Sequence, residues 1–242
     1  MPAPGQLRAL LLLALPVVLA SRGARADESE RFTIEPSLYL FLPGVTGSLG
    51  IGNVDIDLDT PSDAIWHLNF AAMGSVRFAY GAWAVTTEVL YADLGATQGQ
   101  VSWSIQELIV EPTLSYRLTP WLEPLAGVRY VRAGGELVGP FGRNGALTQG
   151  WFDPIIGAKL QLSLGDSVSL QLRGDVGGFG VGSSLTWQVF PYVSWRVAKL
   201  ISLQAGYRVL SIDYQHGTGS DRVRFDVVEL GPQLGVTFHF EP

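Results

Sequence analysis

No cysteine occurs in the 242 residues, which excludes disulfides, thiolate-bound metal and a lipid-modified cysteine at the start of a mature chain. Charge is scarce too: 16% of residues are Asp, Glu, Lys or Arg and 47% are hydrophobic, whereas soluble surfaces usually carry about 25–35% charged residues. Basic residues are the minority, 16 against 22 acidic ones for a net charge of −6, so nucleic acid is not an expected partner. Long apolar runs are missing beyond residue 26, because polar residues interrupt each one well short of the ~20 positions a spanning helix needs. A lipid-facing chain without such helices has to close into a barrel, since hydrocarbon tolerates no unpaired backbone edge.

An export signal comes first. Arg8 precedes an apolar run over residues 9–20, and Ala24-Arg25-Ala26 sets small residues around a cleavage point. The expected division is a signal peptide over residues 1–26 and a barrel domain over residues 27–242. Cleavage would remove Arg8, Arg22 and Arg25 and no acid, moving the formal charge from −6 to −9.

The rest of the chain alternates. Leu108, Val110, Leu114 and Tyr116 share one parity while Glu107, Glu111, Thr113 and Arg117 share the other, the signature of a strand with one apolar face. The same period continues through residues 122–130, 152–162, 168–173, 185–197, 201–209 and 230–240, with aromatics toward the ends of the stripes as in interfacial girdles. Short turns near residues 80–83, 118–121, 164–167 and 198–200 alternate with longer connections near 96–102, 133–150, 177–183 and beyond Gln215. The pattern predicts an all-β fold, a closed antiparallel up-and-down transmembrane β-barrel. Nine strands run from about residue 70 to Phe240. Three more fit residues 32–42, 46–51 and 53–59 with a tight turn at Gly52-Asn53, giving twelve, or ten if that early hairpin fails to span.

The last strand, Gln233-Leu234-Gly235-Val236-Thr237-Phe238-His239-Phe240, resembles the C-terminal signal by which the barrel assembly machinery recognises its substrates, on Gln233, Gly235, Phe238 and Phe240. Glu241 and Pro242 follow it here. A wider likeness runs through Pro43-Gly44-Val45-Thr46-Gly47, Asn69-Phe70-Ala71-Ala72-Met73-Gly74, Trp151-Phe152-Asp153-Pro154-Ile155-Ile156-Gly157 and Gly206-Tyr207-Arg208, and also through the glycine-rich stretch that opens Arg173-Gly174-Asp175-Val176. These segments resemble a family of proteobacterial outer-membrane β-barrel proteins, OmpA-like in character, whose biochemical role is poorly defined. The resemblance supports the fold far more than any activity; the chain as a whole is expected in the outer membrane, with outer-membrane lipid, lipopolysaccharide and the assembly machinery as partners, in a structural or passive small-solute transport role.

Candidate chemistry sits on the polar parity. Arg77, Glu88, Glu107, Glu111, Arg117, Glu123, Arg129, Asp153, Lys159, Arg173, Asp175, Arg196, Arg208 and Glu229 are charges that lipid would refuse, so they are expected to face the lumen, where their near balance of sign favours a network of ion pairs over a selective pore lining. Asp55, Asp57 and Asp59 alternate on one strand, with Asp63 after them, and fit a solvated acidic rim better than a calcium site. Residues 62–68 are expected to form a short lid capped by Ser62. His216, between Asp213 and Asp221 and beside Ser211 and Ser220, is the constellation nearest to a hydrolase site, and the connection over residues 133–150 is a candidate binding surface. Arg173-Gly174-Asp175 is expected to serve the lumen and not adhesion, and the glycines from Gly174 to Gly182 lack the following helix of a nucleotide loop. No enzyme activity, metal or cofactor is expected.

Overall fold

The structure is a computed structural model that describes residues 31–60, 68–98, 101–139 and 142–241. The signal peptide and most of the expected lid, with Ser62, Asp63 and His67, lie outside the described residues.

Twelve strands follow one another: β1 (Phe32–Phe41), β2 (Gly44–Ile51), β3 (Val54–Thr60), β4 (Leu68–Tyr80), β5 (Trp83–Gln98), β6 (Val101–Tyr116), β7 (Leu122–Gly139), β8 (Gly142–Ser163), β9 (Val168–Gly177), β10 (Leu185–Ala198), β11 (Ile201–His216) and β12 (Val223–Phe238). Each of β4 to β12 pairs antiparallel with its neighbours, β1 pairs with β4, and β12 returns to β1, which closes the wall. Closure removes the sheet edges that would otherwise stand unpaired.

Among the described residues the ring has ten members, because β2 and β3 add length and not circumference. Phe41 faces Gln233 and Gly44 faces Leu230 in one unbroken register along β12, and Leu42 N donates to Pro232 O at 3.0 Å between them. Pro43 has no N–H to give the ladder, so pairing lapses while the stave continues. On the other side, Leu38 faces Gly74 of β4, but Val45 faces Thr60 of β3. Carried upward, the first register would set residue 67 opposite Val45, and residues 61–67 are the length by which the two registers differ. Twelve spanning strands thus reduce to ten, the alternative that follows when the early hairpin extends existing staves. Its turn falls at Gly52-Asn53 as expected, with Gly52 at φ +60, a conformation that glycine adopts without a side-chain clash.

Four tight connections, 81–82, 117–121, 164–167 and 199–200, share the end that holds both described termini, called the lower end here. At the upper end the structure corrects the expected loops. The ladder of β7 and β8 runs from Ala133–Gln149 up to Gly139–Gly142, so most of residues 133–150 is paired hairpin. Likewise Thr97 pairs with Ser102 and Gln98 with Val101 in β5 and β6. Backbone pairing persists there although the apolar alternation fades, because the ladder needs only main-chain groups. β8 reaches 22 residues and β9 only 10, so the rim drops to a notch at the β9–β10 connection.

Side-chain parity holds around the ring. Exposed Leu114, Val128, Ile156, Leu172, Val189, Leu203 and Leu234 point outward, while buried Thr113, Arg129, Ile155, Arg173, Gln188, Ser202 and Gln233 point inward. The outward belt runs from Trp83 to Tyr91 on β5, Leu108 to Tyr116 on β6 and Leu122 to Tyr130 on β7, nine residues each. Aromatic pairs mark both margins: Trp83–Tyr116 and Phe32–Phe78 below, Tyr130–Phe152 and Phe70–Tyr91 above.

Candidate functional site

Inward-facing side chains fill the barrel in three layers. The middle layer is a charged lattice around Arg129, which is 0% exposed. Arg129 Nε donates to Glu111 Oε2, Nη2 to Asp175 Oδ1 and Nη1 to Thr186 Oγ1, each at 2.7 Å. Arg173 bridges the same acids: it contacts Glu111, reaches Asp175 at 3.3 Å and donates to Glu88 Oε2 at 2.8 Å. Glu88 also accepts from Arg208 and, at 2.6 Å, from the Tyr39 hydroxyl. Gln188 Nε2 donates to Asp175 Oδ2 at 2.7 Å. The Arg208 guanidinium lies 5.4–5.7 Å from the ring centroids of Phe190, Tyr39 and Phe41, a placement that cation–π attraction favours. Alternation of acid and base across the lumen compensates each buried charge with charge-assisted hydrogen bonds.

Above it lies an apolar layer that parity alone does not announce. Phe41, Leu90, Ile109, Val131, Trp151, Leu210, Ile212, Tyr214 and Val227 form one buried cluster inside the ring. Trp151 stacks on Tyr214 at 3.9 Å and 11°. Asp153 accepts at its edge from Ser183 N at 2.6 Å, Ser183 Oγ at 2.7 Å and Trp151 Nε1 at 3.1 Å. That ties the β9–β10 connection down into the notch. Glu107 is half-buried on β6, and Glu229 is buried on β12.

The lower layer is polar and meets solvent at the mouth. Arg77 grips Glu123 with both Nη atoms, at 2.7 and 2.9 Å, and Ser115 Oγ donates to Glu123 at 2.6 Å. Lys159 stands cross-strand from both Glu123 and Arg173. Here too Ser202 Oγ lies 2.8 Å from His239 Nε2, and His239 Nδ1 lies 2.9 Å from Glu35 Oε1.

The structure thus brings together Arg77 with Glu123, and Glu88, Glu111, Arg129, Arg173, Asp175 and Arg208, as the polar parity suggests. Asp153 is inward but serves the notch. Arg117 and Arg196 are corrections: both are exposed at the lower mouth, beyond the packed layers. Arg117 falls just past the end of β6, and Arg196 lies opposite Ser202 near the end of β10, so solvent takes the charges that parity had turned inward. The sequence reading missed Glu35, Tyr39, Thr186, Gln188 and the inward aromatics. All of them sit on the inward parity, which is the signal that finds them.

Outside the lumen, Asp55 is exposed and binds Arg222, which holds the Asp55 carboxyl below its ordinary range. The Arg222 guanidinium therefore serves as that acid's cationic partner. His216 and Asp221 are exposed at the upper end. Arg173 and Asp175 are buried in the lattice, so Arg173-Gly174-Asp175 is no surface motif, and a strand, β10, follows Gly182. At the closing seam Phe240 exchanges both backbone hydrogen bonds with Ile34, at 2.9 and 3.0 Å, and Gln233 is buried beside Phe41. Gly235 faces Tyr39 so closely that an added Cβ would stand 3.0 Å from its Cβ.

No family model matches this chain, and no curated protein matches it. Among solved structures, Ail, the attachment invasion locus protein of Yersinia pestis, is similar at 9% identity and TM-score 0.42, over 87% of this chain and 99% of that one. A FadL homologue of Pseudomonas aeruginosa is similar at 9% and 0.41, over 88% and 90%. The translocator domain of the autotransporter NalP of Neisseria meningitidis is similar at 11% and 0.43, over 89% and 90%. The architecture described above rests on this chain's own strand pairing and not on these likenesses.

Proposed function

We propose that the chain is an integral outer-membrane β-barrel with a closed lumen, a structural barrel and not a general diffusion channel. The observation that carries the reading is the filling of the interior: among the described residues the charged lattice and the apolar layer meet around a cavity of about 10 Å³, lined by Glu88, Leu90, Ile109, Glu111, Arg129, Gln188, Arg208 and Leu210. That is room for about one water. The outer wall supports a bilayer setting, since its apolar belt has the ~9–11 residues per strand that a tilted β-strand needs to cross hydrocarbon. The export signal, the last-strand motif and the OmpA-like resemblance belong to the same reading, with lipopolysaccharide and the assembly machinery as partners. It assigns no reaction to the His216 loop.

Planar-bilayer recordings test it. The unmodified protein should give small or no single-channel steps, and cutting Arg129 and Glu111 together to Ala should raise the leak. Large, stable steps from the unmodified barrel would sink the closed reading and restore passive small-solute transport.

The notch gives a second test. Gly178 N donates to Pro154 O, below the Tyr130–Phe152 margin, so the β9–β10 connection lies at belt depth. Its N–H groups at 178, 180, 181, 183 and 184 are all bonded within the protein, as hydrocarbon demands, while Phe179 and Val181 are exposed. A nitroxide on Val181→Cys, in a chain with no other thiol, should respond to oxygen and resist a water-soluble nickel chelate. One on Thr218→Cys should do the reverse. Chelate access at both positions would place the connection in water.

A further inference from the structure

We propose that Ser202, His239 and Glu35 form a nucleophile–base–acid relay at the lower mouth of the barrel, hydrolysing short-chain carboxylic esters. The inference goes beyond the closed-barrel reading and needs no conduction through the lumen.

Each ring nitrogen of His239 has its own partner. Nε2 lies 2.8 Å from Ser202 Oγ and Nδ1 lies 2.9 Å from Glu35 Oε1. That order, hydroxyl to one nitrogen and carboxylate to the other, lets the carboxylate fix the tautomer in which Nε2 accepts the serine proton. Main-chain pairing holds all three in place. Ser202 sits between Arg196 and Thr237 in the ladders of β11, and His239 N donates to Leu200 O at 2.9 Å. The Ile34–Phe240 bridge sets Glu35 beside His239. Glu88, Glu111, Glu123 and Asp175 each pair with an arginine. Glu35 instead gives one oxygen to the histidine, and Arg77 Nε stands 3.6 Å from the other.

Access comes from below: the side chains of Glu35 and His239 keep 28% and 16% exposure, while Ser202 is 3% exposed. The acyl group must therefore be small. In the reaction Ser202 Oγ bonds to the ester carbonyl carbon and its proton passes to His239 Nε2. The carbon–oxygen bond to the alcohol breaks, and the alcohol leaves with that proton. Water then attacks the acyl-Ser202, giving one proton to His239, which returns it to Ser202 Oγ as the carboxylic acid departs. Ser202 and His239 are the catalytic residues, and Glu35 is a positioning residue.

The folded protein in detergent micelles or vesicles, identified by its slower gel migration before boiling, is treated with a fluorophosphonate and mapped by peptide mass spectrometry. Hydrolysis of p-nitrophenyl acetate is followed in parallel. The expected results are an adduct on Ser202 of the unmodified protein and a fall in kcat of about a hundredfold or more in Ser202→Ala and His239→Gln. Glu35→Gln should lower kcat at unchanged KM and flatten the pH profile, with partial recovery in Glu35→Asp. Absence of the Ser202 adduct on folded, unmodified protein overturns the proposal, as does Ser202→Ala hydrolysis equal to that of the unmodified chain. The adduct is read without any substitution, so a variant that fails to fold does not decide the matter.

Discussion

Arg129→Leu should cost the barrel about 3–5 kcal/mol, the range for removing one partner of a buried, hydrogen-bonded ion pair. The side chain is 0% exposed and satisfies Glu111, Asp175 and Thr186 at once. Without it, Glu111 and Asp175 keep only Arg173 between them as a shared cation, and the cost is chiefly that of acids left uncompensated away from water. Arg129→Lys should recover little, because one ammonium cannot reach three acceptors that the planar fork meets together. Denaturant unfolding in lipid vesicles, followed by tryptophan fluorescence, gives the number. A loss below about 1 kcal/mol would mean that water screens the lattice, as it does for exposed pairs, and that the lumen is wetter than its packing indicates.

Much of this architecture is legible in the sequence because a barrel wall repeats one rule. Parity on β6, β7, β8 and β9 separates Leu114, Val128, Ile156 and Leu172 from Thr113, Arg129, Asp153 and Arg173, and the structure keeps that separation. The rule says less about what the inward residues meet. Phe41, Leu90, Ile109 and Val131 are apolar on the polar parity, and only closure of the ring brings them into one cluster. Strand number was harder still. Pro43 and residues 61–67 break the local pattern as turns would, yet the register along β12 runs straight past the first of them. The relay at the lower mouth was not legible at all. Glu35 on β1 lies 204 positions from His239, which follows β12 and lies 37 positions from Ser202 on β11, and they meet because β12 pairs with β1 on one side and β11 on the other. Sequence proximity instead drew attention to His216, which the fold leaves exposed.

The outer wall carries the last prediction, a cost that depends on depth. Ile156 is 55% exposed, faces outward from the middle of the belt on β8, and has Ala126 and Val176 as cross-strand neighbours. In a bilayer its side chain meets acyl chains near the midplane, so Ile156→Arg should cost about 2–4 kcal/mol. Leu162, 58% exposed on the same face of the same strand, stands at the lower margin, where an arginine can snorkel to the headgroups, and Leu162→Arg should cost about 0–1 kcal/mol. Two arginines on equally exposed sites of one strand then differ because hydrocarbon, unlike water, has depth. Vesicle unfolding titrations of both variants against the unmodified protein measure the difference. If both substitutions are neutral, the belt faces water and the membrane reading fails. If both are equally costly, the loss comes from strand packing and not from the bilayer, and the depth assigned from the aromatic margins is wrong.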